Sequence, residues 1–291
     1  MSNTATLLAF DFGASSGRAI RAVYDGQNLT YEEIHRFENV PIEKDGHLCW
    51  DVETLLKEIH TAIQKAGTFD SLGFDTWGVD FGLLDTDGHL LANPVHYRDA
   101  RTNGKPEQAA ARMPAEELYA HTGNQIMAIN TLFQLLALRE QDPELLQKAE
   151  QILFMPDLFA ALLGAEPVCE RSIASTSQML DPRTGQWSRE VLAAYGLNAN
   201  RFAPLVASGT VTGTLANGAK IIAVAGHDTQ CASAAMPCAE EDAEHTAFLS
   251  CGTWSLLGTE LDAPILTADS CQSGLSNELG ANGKINYLKN I

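Results

Sequence analysis

The sequence has few basic residues for its length. Lysine and arginine together number 19 against 37 aspartates and glutamates, so the 291-residue chain carries a formal net charge of −18. A surface that binds nucleic acid or an anionic membrane needs an excess of positive charge, so this balance argues against both partners. An anionic small molecule remains compatible with the sequence, because salt screens charges beyond roughly 8 Å and the groups that touch a ligand decide its binding. Small molecules are therefore the expected partners.

Two other features are missing from the sequence. The six cysteines form no Cys-x-x-Cys pair and no Cys/His cluster with zinc spacing, which argues against a structural zinc site. No apolar run reaches the ~18 residues that a membrane helix requires, and the amino terminus has no basic segment followed by an apolar one. The expected location is the cytoplasm. Apolar residues make up 45% of the chain and charged residues 19%, which favours a globular protein of one or two domains.

The amino-terminal stretch predicts two strands joined by a tight turn of small residues. The residues of this turn are Gly13, Ala14, Ser15, Ser16 and Gly17. Such a turn lets main-chain N–H groups and hydroxyls approach a phosphate closely, because glycine tolerates unusual backbone angles. Asp11 ends the first strand, where its carboxylate can hold a hydrated Mg²⁺, and Arg18 can add a charged donor. The alternative is an ordinary Gly/Ser hairpin with a turn-capping aspartate.

A strand-like apolar segment at residues 72–85 is interrupted by Asp75, Trp77, Gly78 and Asp80. Buried carboxylates must be paired, which makes these residues costly in a plain core. A sugar site, in contrast, uses carboxylates for hydroxyl groups and an aromatic ring for the apolar face of the sugar. The segment therefore predicts either a sugar site or a bulged edge strand with solvated acids.

A second polar turn follows the apolar strand predicted at residues 221–225. There Gly226 leads into His227, Asp228 and Thr229, ahead of helical sequence. A carboxylate at the carboxyl end of a buried strand lies where open α/β sheets place their ligands. Asp228 is therefore a candidate site residue, with simple capping of the following helix as the alternative.

A later hairpin repeats the pattern of the opening one. Residues 248–258 read as a strand, a turn of small residues that includes Thr253, and a return strand. Two such hairpins can close on one polyphosphate from opposite sides, which suits a nucleotide held between two lobes.

Taken together, these segments resemble the FGGY family of carbohydrate kinases. Four motifs occur in the order seen in that family, at residues 11–18, 75–80, 226–229 and 250–255. Two further segments, at residues 98–103 and 287–290, resemble its L-rhamnulose-phosphorylating branch. The resemblance implies an α/β fold of the actin/hexokinase-like (ribonuclease H-like) class, with two lobes around a cleft. It implies a sugar- and phosphate-binding first lobe over residues 1–240 and the beginning of a truncated second lobe over 244–291.

The resemblance also implies an activity, the phosphorylation of the 1-hydroxyl of L-rhamnulose by ATP with Mg²⁺. Asp228 would be the base, and Asp11 would hold the metal through water. ATP would be bound by Gly13, Ala14, Ser15, Ser16, Gly17, Arg18, Thr253 and Asn290. The sugar would meet Gly78, His227 and Thr229, to which the residue pattern adds Trp77 and Asp80.

Three alternative functions stay open beside this one. The chain can be a kinase for a related ketose such as L-fuculose, because such sugars differ from L-rhamnulose in the orientation of single hydroxyl groups. It can be a non-catalytic fragment that binds sugar or nucleotide, because its second lobe is incomplete. An ATPase without a sugar acceptor is disfavoured by Trp77 and Asp80. The sequence carries no signal of the oligomeric state.

Overall fold

Strands and short helices alternate along the chain. The computed structural model describes residues 4–238, 242, 245–252 and 255–291. Its strands are β1 (Ala5–Phe12), β2 (Ser16–Tyr24), β3 (Leu29–Glu38), β4 (Ile42–Lys44), β5 (His47–Cys49), β6 (Ser71–Thr76), β7 (Phe81–Leu84), β8 (Gln151–Phe154), β9 (Cys169–Glu170), β10 (Leu180–Asp181), β11 (Gln186–Trp187), β12 (Leu205–Val206), β13 (Thr210–Thr214), β14 (Lys220–Ala223), β15 (Ala247–Cys251), β16 (Ser255–Leu261), β17 (Leu275–Leu279) and β18 (Ile285–Asn290). Its α-helices are α1 (Val52–Ala66), α2 (Lys105–Ala109), α3 (Ala115–Thr122), α4 (Thr131–Gln141), α5 (Pro143–Lys148), α6 (Met155–Leu162), α7 (Arg171–Ala174), α8 (Arg189–Tyr195), α9 (Asp228–Ala234) and α10 (Ala268–Gln272).

The largest sheet has six strands in the order β13-β14-β6-β1-β2-β3. The first three strands are antiparallel neighbours, and the first two form the hairpin that the sequence predicts. Strand β6 runs parallel to β1, with Asp75 opposite Asp11, and β14 runs parallel to β6. Because parallel strands end at the same edge of a sheet, the residues that follow β1, β6 and β14 are brought together there.

Helix α1 packs against this sheet and matches its sequence signals. Asp51 accepts a hydrogen bond from the N–H of Thr54 and so caps the first turn, while Gly67 follows the last turn at φ +66°. Ile59, on the apolar face of the helix, is completely buried in the core that also contains Phe10 and Phe74. From the sequence, the apolar residues at helical spacing between the N-cap Asp51 and Gly67 predict this helix, and the structure confirms it.

The segment at residues 72–85 is not a single strand. Strand β6 is an inner strand of the six-stranded sheet, whereas β7 pairs with β8 in a separate two-stranded sheet. Between the two strands Val79 has φ +66°, a conformation that is a true outlier for a β-branched residue. Its N–H donates a hydrogen bond to Thr176 Oγ1 at 3.1 Å, and its carbonyl accepts a hydrogen bond from Thr131 Oγ1 at 2.6 Å. The alternative of a bulged edge strand with solvated acids is therefore wrong.

A helical layer lies between β7 and β8 in the sequence. Helices α2 to α5 occupy residues 105–148. Leu132, Phe133 and Leu135 of α4 are completely buried in a second apolar core. This layer brings the loop after α3, residues 123–130, to the edge of the main sheet.

The carboxyl-terminal part of the chain forms a four-stranded antiparallel sheet in the order β15-β16-β18-β17. Its strand β17 is joined to the rest of the molecule by hydrogen bonds. The N–H of Asn277 donates to the carbonyl of Gly123 at 2.8 Å, and the N–H of Leu279 donates to Ser175 Oγ at 2.9 Å. Strand β17 therefore forms one wall of the space beside the main sheet. Within the described ranges, no helix has both the length and the apolar character needed to cross a membrane.

Candidate active site

Three aspartates meet at the edge where the parallel strands end. Asp11 and Asp75 are paired in register on β1 and β6, and a bridge between Thr76 and His227 places Asp228 beside them. Burial, followed by the negative charges of Asp11 and Asp228, raises the pKa of Asp75 well above its ordinary value. Arg18 Nη2 lies 2.6 Å from Asp11 Oδ2 and neutralises part of this charge. Carboxylate oxygens are ligands that Mg²⁺ prefers, but these three carboxylates are not grouped closely enough to share one ion, so Asp11 alone is kept as the candidate that holds the metal through water.

The peptide group before His227 is held on both sides. The N–H of Gly226 donates to Glu170 Oε2 at 3.1 Å, and its carbonyl accepts a hydrogen bond from the N–H of Thr76 at 2.9 Å. A Cβ on Gly226 would lie 2.8 Å from Pro156 Cγ, which is closer than packing allows. The turn that carries Asp228 is therefore fixed against β6 by packing and by hydrogen bonds.

Glu170 is the buried anchor of this turn. Its Oε2 accepts hydrogen bonds from the N–H and the hydroxyl of Ser172, from the N–H of Ile173 and from the N–H of Gly226. Its Oε1 accepts a hydrogen bond from Ser208 Oγ at 2.6 Å. Five donors compensate for burying the carboxylate, so Glu170 ties the start of α7 to the turn that precedes Asp228.

His227 lies between two carboxylates. Its Nδ1 is 2.9 Å from Glu278 Oε2, and its Nε2 is 3.4 Å from Asp228 Oδ1. Burial by itself lowers the pKa of the imidazole. The charge and the hydrogen bond of Glu278, with the charges of Asp228 and Asp75, outweigh burial and raise the pKa of His227 to about 9. His227 is therefore an imidazolium at neutral pH.

The raised pKa of His227 predicts a pH-dependent stability. Since the folded-state pKa of about 9 exceeds the ordinary 6.5, the contribution is complete below pH 6.5 and is lost as the pH rises through 9. Across that interval it amounts to about 3 kcal/mol of unfolding free energy. We expect the stability difference between the wild type and His227→Gln to narrow by this amount between pH 6.5 and 9.5 in urea titrations. A difference that stays constant with pH would contradict the expectation.

A cleft of about 170 Å³, partly open to solvent, lies between the main sheet, the loop after α3 and strand β17. Most of the residues predicted for ligand binding line it. They are Gly13, Ala14, Trp77, Gly78, His227, Asp228, Thr229 and Asn290. The side chain of Asp228 is half exposed. Its Oδ1 accepts hydrogen bonds from the N–H and the hydroxyl of Thr229 and lies 3.4 Å from His227 Nε2. Its Oδ2 is contacted by no donor of the described residues. The structure thus brings the two polar turns of the sequence to one cavity.

Other predicted residues lie beside the cleft or outside the described ranges. Ser15, Ser16, Gly17 and Arg18 belong to the same hairpin as Ala14 but do not line the cavity. A Cβ on Gly17 would lie 2.3 Å from the ring of Phe37, so this glycine is needed for packing. Thr253, predicted to bind the nucleotide, lies outside the described residues.

Asp80 lies behind the cleft wall rather than on it. The carboxylate is fully buried and accepts hydrogen bonds from Trp50 Nε1 at 2.7 Å, Gln134 Nε2 at 2.8 Å, Trp77 Nε1 at 3.0 Å and the N–H of Tyr97 at 3.1 Å. Burial raises the pKa of Asp80 to about 6 although these four hydrogen bonds lower it. Trp77 is also stacked on Trp50 with ring centroids 3.8 Å apart. Asp80 therefore holds the indole that lines the cleft, and its oxygens are already occupied.

Several residues of the cleft were missed by the sequence predictions. They include Tyr97, Thr176, Ser276 and Glu278. Asn124 and Gln125 also line the cleft; from the sequence their amides can reach a ligand, but a turn explains them equally well. Glu278 follows the polar residues Ser276 and Asn277 in a short strand, and nothing in this local sequence marks it as a ligand group.

The fold of this chain is shared by solved structures of carbohydrate kinases. A xylulose kinase from Lactobacillus acidophilus superposes with a TM-score of 0.81 at 17% identity, over 97% of this chain and 59% of that one. A glycerol kinase from Plasmodium falciparum, solved with ADP, superposes with a TM-score of 0.76 at 16% identity, over 98% and 61%. At such identities the likeness shows the fold alone. The α/β, actin/hexokinase-like fold class with an incomplete second lobe is confirmed.

The sequence comparison is more specific. Residues 6–234 match the N-terminal domain of the FGGY family of carbohydrate kinases, and the chain belongs to that family. A curated rhamnulokinase from Bacteroides thetaiotaomicron is 42% identical over 296 residues, which cover 97% of this chain and 60% of that protein. The predicted resemblance is therefore confirmed. The chain spans about three-fifths of the length of this relative.

Proposed function

We propose that this chain carries the sugar site of a kinase that transfers the γ-phosphoryl group of ATP to the 1-hydroxyl of L-rhamnulose. The observation that carries the proposal is the position of Asp228. Its Oδ2 is free of described donors in a cleft that is also lined by Trp77 and by the loop residues Gly13 and Ala14. The similarity to a rhamnulokinase supports the choice of sugar.

In the proposed mechanism Asp228 accepts the proton of the attacking hydroxyl. A sugar hydroxyl is a poor nucleophile, and a carboxylate within hydrogen-bond reach removes its proton as the oxygen attacks phosphorus. His227, Thr229 and the backbone at Gly78 orient the sugar from the sides of the cleft. Trp77 offers its ring to the apolar face of the sugar.

The phosphates of ATP belong at the opening hairpin in this proposal. Gly13 and Ala14 lie on the cleft, and the neighbouring Ser15 to Arg18 extend the same hairpin toward solvent. Mg²⁺ would be held by Asp11 through water, and it would supply charge neutralisation to the transferred phosphoryl group. Arg18 is paired with Asp11 and positions that carboxylate. Asn290 would contact the nucleotide from the other wall, together with Thr253.

We propose the division into a first lobe over residues 1–240 and the beginning of a second lobe over 244–291. The six-stranded sheet lies entirely in the first range and the four-stranded sheet entirely in the second, which supports this division. The cleft nevertheless takes residues from both ranges, because Ser276 and Glu278 of β17 line it beside Asp228. The sugar site is therefore incomplete without the second range.

A kinase assay on this chain and on the complete gene product tests the proposal. ATP consumption with Mg²⁺ is measured against L-rhamnulose, L-fuculose and D-xylulose, and sugar binding is measured separately by calorimetry. We expect turnover that depends on L-rhamnulose and exceeds that with the other two ketoses. A preference for L-fuculose would replace the substrate, whereas ATP hydrolysis without any sugar would contradict the kinase assignment.

A second function is favoured by one observation, the length of the chain relative to its relatives. Since the chain spans 60% of the rhamnulokinase that it resembles, it can bind sugar without transferring phosphate. Catalysis of this kind depends on closing two lobes around aligned reactants. Calorimetric binding of L-rhamnulose to the 291-residue chain without ATP consumption would establish this function.

A further inference from the structure

Strand β17 places a buried glutamate in the cleft. Glu278 is 8% exposed, lines the cavity, and accepts two hydrogen bonds at Oε2, from His227 Nδ1 at 2.9 Å and from Gln230 Nε2 at 2.7 Å. Gln230 is fixed in turn by Asn286 of β18, whose Nδ2 donates to Gln230 Oε1. The orientation of Glu278 is therefore set by two neighbouring elements.

From Glu278 the polar contacts continue through a hydrogen bond to His227 and then an ion pair with the proposed base. The imidazole of His227 meets Glu278 with Nδ1 and faces Asp228 Oδ1 with Nε2, at 3.4 Å. An imidazolium can donate at both nitrogens, so it can bridge the two carboxylates. A neutral imidazole that donates through Nδ1 would instead present the lone pair of Nε2 to the negatively charged Asp228.

We propose that Glu278 is a positioning residue for the phosphoryl transfer, which holds His227 as a donor to both carboxylates and thereby orients Asp228. This inference rests on the proposed function of the cleft. His227 and Thr229 both contact Oδ1 of Asp228, and the proposal assigns Oδ2 to the sugar hydroxyl. Glu278 comes from the carboxyl-terminal sheet, so this part of the chain contributes to the sugar site as well as to the nucleotide side.

Three carboxylates face the imidazole from the elements packed around it. They are Glu278 on β17, Asp228 at the start of α9 and Asp75 on β6. Glu278 makes the largest favourable contribution, and it opposes a burial that by itself lowers the pKa of His227. Replacing Glu278 by glutamine keeps the size of the side chain and removes this charge, so His227 will lose its proton at a much lower pH.

Calorimetric titration of the 291-residue chain with L-rhamnulose tests the proposal. The variant is Glu278→Gln, and the matched control is Glu260→Gln. Glu260 belongs to the same four-stranded sheet, but its carboxylate contacts Lys284 and Asn282, away from the cleft. We expect the wild type and the control to bind equally at pH 6 and pH 8.5. Glu278→Gln is expected to bind about tenfold more weakly at pH 8.5 than at pH 6, because its imidazole is neutral at the higher pH.

Two results would overturn the positioning role. One is wild-type affinity of Glu278→Gln at both pH values; the other is an equal loss of affinity at both, which would indicate a purely structural role.

Nitrogen NMR of the imidazoles, with the His227 signal assigned by comparison with His227→Gln, provides a readout that needs no sugar. We expect the titration midpoint of His227 to fall in Glu278→Gln, and an unchanged midpoint would refute the proposal. If the wild type binds no ketose, the proposed function fails, and the NMR titration still decides whether Glu278 controls His227.

Discussion

Replacing Asp228 by asparagine is expected to lower the rate of L-rhamnulose phosphorylation by about 10² or more, the usual effect of removing a positioned base. Asparagine keeps the size of the side chain, and its carbonyl can still receive the hydrogen bonds of Thr229, but it cannot take a proton from the sugar hydroxyl. The rate is measured on the complete gene product at saturating ATP and sugar.

The matched control for this experiment is Asp87→Asn. Asp87 is exposed in the turn that follows β7 and does not line the cleft, so its replacement makes the same chemical change at the surface. We expect the control to keep the wild-type rate, and we expect Asp228→Asn to keep its calorimetric affinity for the sugar within a few-fold. A rate for Asp228→Asn within a few-fold of wild type would return Asp228 to a structural role at the start of α9.

Replacing Asp80 by asparagine is expected to lower the free energy of unfolding by about 3 kcal/mol, because it leaves buried donors without an acceptor. Both carboxylate oxygens of Asp80 receive N–H donors, so either orientation of the new amide directs its NH₂ group at another donor. Gln134 cannot turn to accept it without giving up the hydrogen bond from Arg101 Nη2 at 2.9 Å. Arg101, which is largely buried, would also lose a compensating charge.

Glu170→Gln supplies the comparison, because it makes the same change at another buried carboxylate. Glu170 directs one oxygen at the hydroxyl of Ser208, which can reverse its role and accept a hydrogen bond from the new NH₂ group. The other oxygen keeps its four donors. The charge of Glu170 also adds to the burial that raises the pKa of Asp157, and the substitution removes that repulsion. We expect Glu170→Gln to stay within about 1 kcal/mol of the wild type in urea unfolding. An equal loss of unfolding free energy in the two variants would show that the number of donors left without an acceptor does not determine that loss.

The local signals of the sequence were sufficient for the elements that carry their own caps and turns. The helix between Asp51 and Gly67, the opening hairpin and the later hairpin each follow from residues close together in the chain. The meeting of Asp11, Asp75 and Asp228 was also within reach, because a polar residue after a buried parallel strand marks the edge where such strands end.

The roles of Asp80 and Glu278 depend on partners that the local pattern does not contain. Asp80 reads like a cleft carboxylate, and only Trp50 and Gln134, distant in sequence, fill its oxygens and place it behind the wall. Glu278 stands in a short strand with no local mark of function. Its importance arises from His227, about fifty residues earlier, across a contact that no periodicity describes. These roles could not be predicted from the sequence because they depend on hydrogen bonds between polar groups that are distant along the chain.

The contact between strand β17 and the loop after α3 also bears on how the protein folds. Asn277 donates through both its main chain and its side chain to the carbonyl of Gly123, and Ser270 contacts Tyr119 at 2.5 Å, across 151 residues of chain. Contacts between such distant residues close large loops and slow folding. During synthesis, the wall of the cleft cannot form until the chain has been made past residue 279. The last strand of the six-stranded sheet ends at Ala223, so the chain contains all of this sheet before it contains the wall of the cleft.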